Sequence, residues 1–340
     1  MSDQTDHGPY QGTGGTTFVR IFAWAMVALT FGFLLNNYLN YWLEWPGAGA
    51  LIGGEGSLVL GGLQGVLYLA CIIVPVLFVL RTSARSLRAD SEILTRFVNY
   101  MVRACFWAVL FVGLADMVIS FLRVEDLLAG VFGDDLASKM SLSRWRAPFI
   151  HLPLIIAGFV LAAFTKTLGF TWLTLLVVVA ELQIVLARFI FSYEQAFMGD
   201  LVRFWYAALF LFASAYTLMD EGHVRVDVLY AGFSRPTKGR VNAIGCVLLG
   251  ILFCWVVLYL GLASKSSIIN APLLSAEVSQ SGFGMYVKYL MAGFLGVFAT
   301  TMMVQFCAYL MESVADWRGD PGGRDMGPED DPMAAIGAGH

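Results

Sequence analysis

Two carboxylates fall inside long apolar runs of this 340-residue chain, Asp116 and Glu181. A charge in a bilayer core is costly unless it is paired, neutralised or hydrated, so each is a candidate intramembrane ion site. The alternative for both is structural: a buried ion pair, or a protonated carboxyl packed against another helix. Arg188 follows Glu181 by seven residues, two helical turns further along the same face, and is placed to be such a partner.

Other chemistries lack parts. A bis-histidine haem needs two axial ligands inside the membrane. The four histidines are His7 and His340 in the tails, His223 in a loop and His151 at the start of an apolar run, so no such pair exists. There is no HExxH, GxSxG or glycine-rich phosphate loop. Ser264-Lys265-Ser266 has the residue types of a Ser/Lys dyad, against the plainer reading of an interfacial turn with a snorkelling lysine. The five cysteines, Cys71, Cys105, Cys246, Cys254 and Cys307, all sit in apolar runs without metal-ligand spacing and read as small buried hydrophobes. The sequence calls for no cofactor, no metal and no catalytic residue.

The densest polar stretch is Thr217 to Leu229, between two apolar runs. Five of eight consecutive residues there are ionisable: Asp220, Glu221, His223, Arg225 and Asp227. A second polar stretch, Tyr193 to Arg203, carries Glu194, Asp200 and Arg203 and reads as a solvated turn or a docking surface. From Val226 to Val241 a short amphipathic helix is expected in the membrane interface, with Tyr230 and Phe233 towards lipid.

The elements that must hold these residues are membrane spans. The chain is 58% hydrophobic and only 14% charged, with a mean hydropathy of +0.72, far from the charge content of a soluble domain. Apolar runs recur that are long enough to cross a bilayer core of about 30 Å. The expected fold is therefore all-α and polytopic. About eight transmembrane helices are predicted, at 18–43, 58–80, 100–122, 148–165, 168–191, 201–219, 241–263 and 286–311. Gly61 and Gly65 form a small-xxx-small pair suited to close approach of a neighbouring helix. No basic cluster with interleaved aromatics points to nucleic acid.

Orientation follows from where Lys and Arg lie in the loops. Arg81, Arg85, Arg88, Arg96 and Arg103 follow or enter one pair of spans, and Arg225, Arg235, Lys238 and Arg240 precede another, whereas residues 44–57 contain no basic residue. With eight spans, both termini and the His223 stretch then lie in the cytoplasm. The 123–147 loop argues the other way, because it must be outside yet carries Arg123, Lys139, Arg144 and Arg146. In outline, residues 1–17 are a flexible lead-in, 18–165 a four-span N-terminal half, and 166–313 a four-span C-terminal half. Residues 314–340 form a tail that is acidic and reads as disordered.

Three pieces of the C-terminal half form a pattern: Leu186-Ala-Arg-Phe-Ile-Phe191, then Asp200-Leu-Val-Arg203, then Asp220-Glu-Gly-His-Val-Arg-Val-Asp-Val-Leu229. It resembles the small membrane subunit, DctQ-type, of tripartite ATP-independent periplasmic (TRAP) transporters, in an extended form with extra N-terminal helices. Gly222-His-Val-Arg-Val-Asp227 is the most specific run, and the likeness covers about residues 168–313. The chain departs where the family often has Trp and paired glutamates, having Phe197-Met-Gly-Asp200 instead. The resemblance implies a non-enzymatic inner-membrane subunit that scaffolds a larger multi-span transport subunit. It also implies help in docking a periplasmic solute-binding protein, for ion-coupled uptake, with sodium as the expected ion, of an organic acid or similar solute. Arg188, Glu194, Asp200 and Arg203 then belong to the outer ends of the first two helices. Glu221, Gly222, His223, Arg225 and Asp227 form a cytoplasmic, structural signature. The alternative is an autonomous secondary transporter or channel with its own carboxylate site at Asp116 and Glu181.

Overall fold

Lipid offers backbone groups no hydrogen-bonding partner, so runs this apolar must satisfy their own N–H and C=O groups as helices. A computed structural model describes residues 14–166, 170–193, 197–219, 230, 232–279 and 284–322. Among these there is no strand, and the chain is an all-α polytopic membrane protein. Its helices are α1 Gly14–Tyr41, α2 Leu58–Arg81, α3 Leu87–Val124, α4 Leu128–Phe132, α5 Asp134–Met140 and α6 Ser143–Phe164. They continue as α7 Phe170–Phe191, α8 Met198–Met219, α9 Arg235–Leu262, α10 Asn270–Ser275 and α11 Lys288–Arg318. Seven of them are long and apolar enough to cross a membrane. The remaining expected span is α7, whose 22 residues reach about 33 Å at 1.5 Å per residue.

The chain divides into two compact units, residues 1–96 with 221–254 and 303–340, and residues 97–220 with 255–302. In the first, α1 and α2 pack with Gly32 against Cys71, where an added Cβ would stand 2.5 Å from the sulfur. Between these two helices Gln64 donates to both Asn36 and Asn40, at 2.7 and 2.6 Å. Gly61 and Gly65 do not admit a neighbouring helix as expected. They make room for a 3-10 turn, Ala48–Ile52, which folds back so that Cβ atoms on the two glycines would each lie 2.8 Å from Ala50 or Leu51 side-chain atoms. Of the 226–241 stretch expected as a short interfacial helix, residues 226–229 and 231 lie outside the described residues. From Arg235 the stretch is the first turns of α9, entered through Ser234 and Pro236, and Asn242 ties it back to Tyr230 and Tyr309.

In the second unit, α3 is 38 residues long, and α6 crosses it so closely that a Cβ on Gly158 would meet the Ala108 backbone nitrogen at 2.6 Å. Phe106, Phe212, Phe204 and Phe294 interlock nearby, with ring centroids 4.9–5.9 Å apart. The connection after α3 is a folded element. Leu128, Ala137 and Met140 close over Ile119 as a small apolar core, with Leu122, Trp145 and Ile150 packed against it. Within α6, Pro148 and Pro153 withhold two backbone donors, and Ala147–His151 winds as a π-helical turn. That turn sets where Arg146 and His151 point.

Candidate functional site

Asp116, about four-fifths of the way along α3, has no exposed side-chain surface. Its carboxylate accepts three hydrogen bonds. Arg146 Nη1 donates to Oδ1 at 2.5 Å, His151 Nε2 lies 3.1 Å from the same oxygen, and the Tyr286 backbone N–H reaches Oδ2 at 2.7 Å. Arg146 is itself fully buried, and its Nε and Nη2 donate to the Met140 carbonyl at 3.0 and 2.7 Å. An ion pair this deep is tolerable only when the remaining donors and acceptors are met, and here they are. A carboxylate can only accept, so His151 carries its hydrogen on Nε2. In the neutral ring Nδ1 then accepts from the Tyr289 hydroxyl at 2.7 Å.

The partners converge on residues 284–289, the lead into α11 and its first two residues. Arg123 Nη2 donates to the Gly284 carbonyl at 2.6 Å, and Asp200 Oδ2 accepts from the Met285 N–H at 3.1 Å. The Tyr286 hydroxyl donates to the Ser141 carbonyl at 3.1 Å. Its ring lies under two guanidinium groups, Arg146 at 4.1 Å and Arg123 at 4.4 Å from the centroid. Arg123 Nε and Nη1 have no hydrogen-bond partner among the described residues, and the aromatic face compensates that charge.

Asp200 stands in the first turn of α8, where a carboxylate complements the helix dipole. Only 14% of its side chain is exposed, and it also accepts from Ser279 Oγ at 3.1 Å. Arg203, one turn on, is 75% exposed and 3.5 Å from Asp200. Arg188 is exposed near the end of α7. Glu181 is exposed on α7 and makes no hydrogen bond or ion pair with any described residue, nor is it among the partners of Asp116. Glu194 and the whole Glu221, Gly222, His223, Arg225 and Asp227 signature lie outside the described residues. Beside the α8 entrance, Tyr193 donates to Glu125 at 3.0 Å, and that hydrogen bond pushes its phenol above the ordinary value. Ser264 Oγ, considered for a Ser/Lys dyad, lies 3.0 Å from the hydroxyls of Ser266 and Ser267.

A second buried carboxylate, Asp90, anchors the other unit. Arg20 Nε donates to it at 2.7 Å and Trp24 Nε1 at 3.0 Å, while Arg20 also bonds both the carbonyl and the hydroxyl of Thr82. Arg88 and Arg235 share Asp316 on α11, at 2.8 and 2.9 Å. Sequence reasoning singled out Asp116 but none of Arg146, His151, Tyr286 and Tyr289 as its partners. The available signal was the misplaced positive charge of the 123–147 loop, half of which, Arg123 and Arg146, is built into this cluster. Among the described residues no group of three or more His, Cys, Asp or Glu is arranged to hold a metal ion.

A family model described as "Tripartite ATP-independent periplasmic transporters, DctQ component" matches residues 173–317. No curated protein and no solved structure matched the chain.

Proposed function

From the family match over residues 173–317, we infer that this chain is a non-enzymatic, multi-pass inner-membrane scaffold subunit of a TRAP transporter. The family match carries the reading. On it, the chain anchors a larger multi-span transport subunit and helps dock a periplasmic solute-binding protein. The transported solute is an organic acid or similar compound, taken up with an ion such as sodium. Residues 166–313 are the DctQ-like four-span domain, 18–165 a four-span extension, and 314–340 an acidic tail.

The proposed orientation keeps both termini in the cytoplasm, with residues 123–147, 192–200 and 264–287 outside. Two of the four positive charges of the 123–147 loop weigh less against this, because Arg146 is buried against Asp116 and Arg123 is stacked on Tyr286 and bonded to Gly284. Charges engaged inside the fold are not the flexible loop charges on which the positive-inside rule rests. Arg188, Glu194, Asp200 and Arg203 then mark the outer side, and the 221–227 signature the inner.

Glu181 is assigned to a subunit contact. A carboxylate on the exposed side of a membrane helix requires a partner, and a second membrane protein supplies one. The competing reading, an autonomous carrier, needs Asp116 as an ion ligand, and both oxygens of that carboxylate already accept hydrogen bonds. The test is a mild-detergent pull-down of the tagged chain from native membranes, with mass spectrometry of what is retained. A stoichiometric larger multi-span protein is expected, and Glu181→Gln is expected to weaken its retention. A complex of this chain with itself alone would overturn the reading.

A further inference from the structure

Tyr100 of α3 and Ile155, Ile156, Phe159, Val160 and Phe164 of α6 line an open groove of about 560 Å³. Ligand clefts run from about 300 to 1,000 Å³, so the groove has room for an occupant. Ile156 and Val160 are each 55% exposed, and the groove lies on a face that the described chain leaves to the bilayer. From Ile155 to Phe164 it follows α6 for about 14 Å, at 1.5 Å per residue. One leaflet's hydrocarbon is about 15 Å deep, half of a core of about 30 Å, so an acyl chain matches that length. The Tyr100 hydroxyl donates to the Phe159 carbonyl at 3.0 Å, which leaves the lining side chains to offer apolar contact alone.

A cation stands beside this groove. One turn along α3 from Tyr100, Arg103 Nε donates to the Ala162 carbonyl at 3.1 Å. That carbonyl is in the last turn of α6, where positive charge complements the helix dipole. The dipole accounts for Nε and leaves the rest of the guanidinium unexplained. Nη1 and Nη2 have no hydrogen-bond partner among the described residues, and neither is buried. No acidic residue occurs at 97–115 of α3 or at 152–166 of α6. Arg103 is the fourth residue of the expected span 100–122, about 5 Å inside its edge, a depth at which a charge requires an anion or water. Lys166, exposed and two residues beyond Phe164, brings a second positive charge to the same end of α6.

We propose that the α3–α6 groove binds one anionic phospholipid. The phosphate is held by the Nη groups of Arg103 and by Lys166, and one acyl chain lies along α6 from Phe164 to Ile155. The charge selects the headgroup and the groove holds the chain, so neither part alone makes the site. This inference does not rest on the transporter-subunit reading. On the proposed orientation the site faces the inner leaflet, where basic pockets between spans collect anionic headgroups.

The test uses the purified full chain, delipidated in detergent and titrated with phosphatidylglycerol or with phosphatidylcholine of the same acyl chains. Native mass spectrometry counts the lipid retained. One phosphatidylglycerol is expected to bind at least fivefold more tightly than phosphatidylcholine. Arg103→Gln should reduce that preference to less than twofold. Val160→Trp fills the groove from an exposed position and leaves Arg103 in place, and it should weaken phosphatidylglycerol at least fivefold. This second variant decides the matter by itself if Arg103→Gln does not fold. Arg96→Gln removes an exposed arginine that pairs with Glu92 on the same helix, and it should leave binding unchanged. Equal retention of the two lipids, or either groove variant behaving as wild type, overturns the site. Displacement of the lipid by an equal concentration of glycerol 3-phosphate also overturns it, because the headgroup alone would then suffice.

Discussion

Removing the carboxylate of Asp116 would strand the Arg146 guanidinium, which has no exposed surface and no other anion within the cluster. Breaking a buried pair from one side costs about 3–5 kcal/mol, because the surviving charge cannot be solvated. Asp116→Ala should therefore lower the unfolding temperature of the detergent-solubilised protein sharply. The double variant Asp116→Ala/Arg146→Leu should be less destabilised than Asp116→Ala alone, since no orphan charge remains; equal or additive losses would show that the two residues do not act as a pair. Asp116 was visible in the sequence as a carboxylate in need of a partner. Its partner lies 30 residues away behind a chain reversal, and side-chain periodicity carries no information across such a gap.

At the level of elements, α6 crosses α3 backbone to backbone at Gly158. The obstacle to a methyl group there is the backbone of Trp107 and Ala108, which cannot swing aside like a side chain. Gly158→Ala should cost about 1–3 kcal/mol through overpacking, read as a fall in thermal stability. Gly296→Ala in α11 is the control. Nothing lies within 4 Å of its added Cβ, so the better helix propensity of alanine should leave stability unchanged or raise it by up to about 1 kcal/mol. Equal effects at the two positions would refute this account of the α3–α6 contact. The spans themselves were legible because lipid imposes one solution on a long apolar run. The ends were less so: α3 begins at Leu87, 13 residues before the expected Tyr100, because polar residues such as Asp90 are satisfied by Arg20 and Trp24 and the helix continues past the apolar stretch.

For the molecule as a whole, each of the two compact units draws on both halves of the sequence, residues 1–96 with 221–254 and 303–340 in one and residues 97–220 with 255–302 in the other. A fragment of residues 166–340, cut before the DctQ match, would lose α3 and α6 and with them the contacts of Trp205, Phe212 and Tyr289 with Val109, Phe106 and His151. It is expected to aggregate or to be degraded when expressed alone. A monodisperse fragment that still retains the large subunit would show that the extension is dispensable for folding. Many large side chains on the intact chain stay exposed, Phe189 at 81% and Phe164 at 82% among them, as a bilayer and a membrane partner allow.

The sequence by itself determined the solvent, the fold class, the approximate spans and, through three short motifs, a resemblance that a family model matches over residues 173–317. Each of these is written locally, in a hydrophobic run about as long as the bilayer is thick or in a handful of adjacent residues. Only the tertiary structure decided what the polar residues are for. It turned the 123–147 loop from a misplaced positive stretch into a folded cap, made Asp116 the centre of an ion pair, and tied the lead into α11 to a helix 170 residues earlier. The physical reason is that a buried charge takes whichever counter-charge the packing delivers, and packing brings together residues whose separation in sequence is unconstrained.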